Sequence, residues 1–152
     1  MFEYFGGRTN GIWEVVATSS SPTPELLLPG GRETQSVGSP DGRRFAVVHD
    51  TVSPSADASE RVTAIMVYDR NNLALPHQVL FADHGRTVRS VSWSPNGAYL
   101  AYTLEQANGQ SDIWWLEIAS GATGPITTDG VSLEASWRPV SISSAYLPMV
   151  TR

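Results

Sequence analysis

The chain has 152 residues, 41% hydrophobic and 16% charged, with a net charge of −5. It contains no Cys, and all ten cationic side chains are Arg, which excludes disulfides, Cys-ligated metals, thiol catalysis, Schiff-base lysines and the Walker lysine. The acidic balance disfavours nucleic acid as a partner, and no apolar run nears the roughly 20 residues a membrane-spanning helix needs.

In chain order, Met1 to Gly6 lacks the basic and apolar regions of a signal peptide, so a cytoplasmic setting is slightly favoured. Glu3-Tyr4-Phe5 and Ile12-Trp13-Glu14-Val15-Val16 read as strands, and Leu26 to Gly31 as a short apolar element ending in a Gly-containing turn. A strand beginning near Thr34 runs into Ser39-Pro40-Asp41-Gly42, a hairpin turn in which Pro fixes φ and Asp-Gly takes the left-handed positions. Arg44 to Val48 and Ile65 to Asp69 are the next strands, separated by a polar loop over Thr51 to Arg61. Val79 to Gly85 closes that unit.

The same order then repeats. A strand from Val88 to Trp93 precedes Ser94-Pro95-Asn96-Gly97, followed by Tyr99 to Thr103, Ile113 to Glu117 and Pro125 to Gly130. A further first strand, Leu133 to Trp137, leads into Arg138-Pro139. Trp93 and Trp137 are 44 residues apart, and Gly38 stands 55 before Trp93. The 11 extra residues have a home in the Thr51 to Arg61 loop. No stretch of ten residues carries a helical apolar period. Four short strands per ~44 residues is the arithmetic of a propeller blade. The continuous apolar run Ile113-Trp114-Trp115-Leu116 needs cover on both faces, which neighbouring blades supply.

Trp-Ser-Pro-Asn-Gly, then Ala-Tyr-Leu-Ala-Tyr and Asp-Ile-Trp-Trp-Leu-Glu-Ile, resembles the repeat of TolB-type β-propellers. Trp93 to Ile118 matches it closely, Gly38 to Asp69 matches without the Trp, and the resemblance spans nearly the whole chain. The expected fold is therefore all-β, a β-propeller of four-stranded antiparallel blades, in one domain over 1–152. Its blades are expected near 1–31 plus 133–137, 34–82 and 88–128. Rings typically hold roughly four to eight blades, and the family resembles six-bladed rings. Three blades are then half of one, completed by a second chain whose Leu133–Trp137 strand fills the first blade. A fragment of a longer polypeptide is the alternative. Ser144-Ala145-Tyr146-Leu147 competes with Glu3-Tyr4-Phe5 for one strand position.

Functional motifs are sparse. Gly42 follows Asp41 directly, so the Ser-x-Asp-x-Gly spacing of an Asp-box fails. His49, His77 and His84 lack metal-ligand spacing, and there is no Gly-x-Ser-x-Gly elbow. No catalytic residue, metal or cofactor is expected. The five Trp are assigned to packing between blades, Trp93 with Trp137 and Trp13 with Trp114 at equivalent repeat positions. Binding is expected at the channel mouth, lined by Arg32, Gln35, His84, Arg86, Arg89 and Glu134, where the arginines either clamp a carboxylate or pair with Glu134. The resemblance implies a non-catalytic protein- or peptide-binding scaffold. The alternative is an accessory, gating propeller of a larger enzyme such as a prolyl-oligopeptidase-like hydrolase.

Overall fold

The structure, a computed structural model, describes residues 2–3, 11–15, 24–30, 33–52, 61–74, 78–81 and 85–137. They form eleven strands: β1 (Phe2–Glu3), β2 (Gly11–Glu14), β3 (Glu25–Pro29), β4 (Glu33–Gly38), β5 (Arg44–Val52), β6 (Arg61–Asp69), β7 (Gln78–Phe81), β8 (Arg86–Trp93), β9 (Tyr99–Gln106), β10 (Ser111–Glu117) and β11 (Thr123–Pro125). Within each of three meander sheets, β1-β2-β3, β4-β5-β6-β7 and β8-β9-β10-β11, consecutive strands pair antiparallel. The fold is all-β, with no helix among the described residues.

Two boundaries differ from expectation. β5 and β6 run on to pair Thr51 with Val62 and Val52 with Arg61, so the hairpin arms absorb part of the polar insertion. The last strand of the third sheet is Thr123–Pro125, earlier than Pro125 to Gly130. A tight turn explains the shift. Glu117 N–H donates to Ala122 O at 2.8 Å and Gly121 N–H to Glu117 O at 2.9 Å, which sets Thr123 opposite Leu116.

The period of two along β5 decides what each sheet covers. Phe45 and Val47 form a buried cluster with Ile12 of the first sheet, while Ala46 and Val48 join one with the third. Ile65 and Val67 of β6 share the second cluster, with Val88, Val91, Trp93, Leu100, Tyr102 and Leu104. The second sheet is thus buried on both faces, as a continuous apolar strand requires. Trp114 packs against the same cluster. On β9, Ala101 and Thr103 alternate to the opposite, outer face, in register with Trp115 and Ile113.

Residues 132–137 join no ladder among the described residues. They leave the third sheet beside β10, where Ser132 N–H donates to Ser111 O at 3.0 Å. Asp129 holds that exit, its carboxylate accepting Val131 N–H at 3.0 Å and Ser132 Oγ at 2.9 Å. Three apolar side chains along residues 126–133 are exposed: Val131 is 76% exposed, Leu133 64% and Ile126 55%. The loop residues 53–60, the Arg138-Pro139 turn, and the competing 144–147 and Tyr4-Phe5 segments lie outside the described residues.

Phe45 is fully buried between the first two sheets and stacks on Tyr68 at 5.5 Å. Phe45→Ala is expected to lower unfolding free energy by about 3–5 kcal/mol, read from the urea midpoint, whereas Val131→Ser should leave that midpoint nearly unchanged.

Candidate functional site

The repeated turns are built alike. Ser39 Oγ donates to Asp41 Oδ1 at 2.6 Å and accepts Arg44 N–H at 2.9 Å, and Asp41 Oδ1 also takes Arg43 N–H. Ser94 Oγ likewise donates to Asn96 Oδ1 at 2.7 Å and accepts Tyr99 N–H at 2.9 Å, with Ala98 N–H on Asn96. Gly42 and Gly97 close the turns at φ 70° and 67°, where a Cβ is disfavoured. The serine and the Asx side chain together satisfy the donors that a tight turn leaves open.

Between the second and third sheets, the indole of Trp93 donates to Val37 O of β4 at 3.0 Å. The indole of Trp137 donates to Ser92 O of β8 at 3.1 Å. Val37 and Ser92 each stand one residue before the equivalent positions Gly38 and Trp93, so one bond is made twice, from each unit to the unit before it. Arg44 adds to the first copy: its guanidinium lies 5.2 Å over the Trp93 ring, and Nη2 donates to Gly97 O at 2.9 Å. A further ion pair, Arg70 with Glu14, ties the second sheet to the first.

Of the expected mouth residues, Arg32 and His84 lie outside the described residues. Gln35 is committed to structure. β8 bulges between Arg89 and Ser92, with Ser90 at φ 50°, and Gln35 Oε1 accepts the Val91 N–H from the bulged stretch at 3.0 Å. Arg89 pairs with Glu105 of the adjacent β9, its side chain 60% exposed. Arg86 is half-buried at the start of β8, with its charge acting on Tyr102. Glu134 is exposed and adopts φ 57° in the segment leaving the third sheet. The structure therefore gives Arg89 to Glu105, where the sequence offered Glu134.

A cleft of about 430 Å³ opens on the outer side of the third sheet, lined by Tyr99, Trp115, Glu117, Ile126 and Trp137. Trp115 meets Tyr99 edge to face at 6.3 Å. Its indole lies close over Gly124, where an added Cβ would come within 3.1 Å of Nε1. Tyr99 Oη donates to Glu117 Oε1 at 3.2 Å, and that hydrogen bond to a carboxylate raises the phenol's pKa. Ser120 Oγ donates to the other carboxylate oxygen. Trp115 thus lines a cleft where core packing was expected. The one signal in the sequence was the lack of a Trp counterpart at that repeat position.

No family model matches the chain, and no curated protein matches it. Among solved structures it is similar to an acylaminoacyl peptidase in complex with Z-Gly-Gly-Phe-chloromethyl ketone, at 12% identity and a TM-score of 0.40. The match takes in 55% of this chain and 12% of the peptidase chain.

The two turns differ in one titratable group. The Ser39 hydroxyl and then the Arg43 N–H hold the Asp41 carboxyl below the usual aspartate range, whereas Asn96 does not ionise. A carboxyl whose pKa is lowered on folding stabilises the fold above its unfolded pKa. That contribution disappears as pH falls through the lowered folded value. In a carboxyl-carbon NMR titration, Asp41 should titrate below an unstructured aspartate, and Ser39→Ala should move its midpoint up towards that reference.

Proposed function

We propose that the chain is a non-catalytic scaffold of the TolB-type propeller kind, three blades that close a six-bladed ring with a second copy. In that ring the starts of β4 and β8 form a channel mouth offered to a protein or peptide. The observation that carries this is the repeated indole bond. Trp137 bonds to the third sheet as Trp93 bonds to the second, which supports reading Leu133 to Trp137 as the innermost strand of a further blade. That segment joins no ladder among the described residues, while the first sheet consists of β1-β2-β3 with β1 at its edge.

Exchange between two copies matches the two ends. Each chain's Leu133–Trp137 would pair beside the partner's first sheet, supplying its inner strand and covering the outer face of the third sheet. Val131, Leu133 and Ile126 are exposed along residues 126–133, and two-fold pairing is the commonest way such edges are closed.

Light scattering over a concentration series tests the assembly. The expected mass is constant at twice 16.4 kDa, and deletion of residues 133–152 should abolish the dimer. A monomer throughout would favour an accessory propeller of a longer chain. An unchanged oligomer after deletion would rule out strand exchange.

A further inference from the structure

We propose that the cleft formed by Tyr99, Trp115, Glu117, Ile126 and Trp137 receives the guanidinium of an arginine side chain from a partner polypeptide. Indole and phenol rings carry negative faces that attract a cation, and Trp attracts it most strongly. Here two indoles and a phenol share one open cleft with a carboxylate. The Glu117 carboxylate accepts the Tyr99 and Ser120 hydroxyls, one on each oxygen. A carboxylate has about four acceptor positions, so it retains room for a two-pronged N–H donor.

The earlier unit of the protein holds an arginine over the equivalent indole. The repeat equates Arg44 with Tyr99, Asp69 with Glu117 and Trp93 with Trp137; Arg44 and Asp69 are cross-strand partners, as are Tyr99 and Glu117. In the earlier unit the chain supplies the cation itself, with Arg44 over Trp93 and bonded to Gly97 O. In the later unit that position is Tyr99. The indole and the carboxylate are kept, the cation is not, and a cleft stands open beside them. Ile126, 55% exposed at the rim, offers apolar surface to the methylene stem of an entering side chain. An ammonium lacks the planar fork that stacks on indole while bonding a carboxylate, so the chemistry selects arginine over lysine. All five lining residues belong to one chain. A second copy closing the ring would cover this face, so the site is one of the open monomer. The titration is made where light scattering reports a monomer, and a chain dimeric at every concentration would overturn the proposal.

Indole ¹H–¹⁵N resonances of the full chain provide the readout, titrated with N-acetyl-arginine amide, a five-residue peptide with one central Arg, and N-acetyl-citrulline amide. The arginine probes should move the Trp115 and Trp137 signals to saturation, with citrulline binding at least about threefold more weakly. Glu117→Gln should weaken arginine binding by about threefold to fivefold while the Trp93 signal reports an intact fold. Tyr99→Arg, which restores the Arg44 arrangement within the chain, should fill the cleft and abolish binding. The peptide should bind more tightly than the amide. Equal binding of citrulline and arginine, unmoved Trp115 and Trp137 signals, or a Tyr99→Arg variant that still binds would overturn the proposal. Equal affinity for amide and peptide would overturn the assignment to a polypeptide.

Discussion

The bond from a tryptophan indole to the backbone carbonyl of the preceding unit's first strand is the constraint on which the rest of the structure depends. It is directional, whereas the apolar packing around it is not. An indole also brings a large apolar surface to the same point, so one side chain both fills the space between two sheets and fixes their register. Trp93 makes this contact to Val37 and Trp137 makes it to Ser92. Around the first copy, Arg44 stacks on the ring and bonds to the turn of the next unit, while Gln35 caps an amide from the β8 bulge. Each of these reaches across the sheet boundary, so the sheets are joined by polar bonds as well as by area.

Burial follows from that spacing. With a neighbour on each side, β5 places Phe45 and Val47 against the first sheet and Ala46 and Val48 against the third. The third sheet has such a neighbour on its inner face. Its outer face carries Ala101, Thr103, Ile113 and Trp115, together with the segment that ends in Trp137. The ring-completing dimer and the arginine cleft are both proposals about that face, and a second copy closing the ring would cover the cleft. One needs the chain beyond the third sheet to find a strand partner. The other needs only the side chains already gathered around Trp115.

Much of this was written locally in the sequence. Ser39 to Gly42 and Ser94 to Gly97 announced two equivalent hairpins, because serine, an Asx residue and glycine each have a fixed task in such a turn. The spacing of Trp93 and Trp137 announced equivalent inter-sheet positions. What stayed hidden depends on contacts between units. The bulge in β8 leaves no composition signature, so the bond from Val91 N–H to Gln35 Oε1 could not be read from the sequence. The ion pair of Arg89 with Glu105, two positions along β9 from Arg89's own cross-strand partner Thr103, was not legible either. Trp115 read as core because a continuous apolar strand implies two covered faces. Tyr99 stands in that cleft where the repeat has Arg44, and the gathering of its side chain with Trp115, Ile126 and Trp137 depends on contacts that no local pattern shows.

The central claim is that Trp137 repeats the bond made by Trp93, and hydrogen exchange at the indole N–H groups tests it most directly. In the intact chain, both protons should exchange slowly and on comparable timescales, since each is donated to a backbone carbonyl between packed strands. A Trp137 indole exchanging as fast as free indole, with Trp93 still protected, would contradict the account.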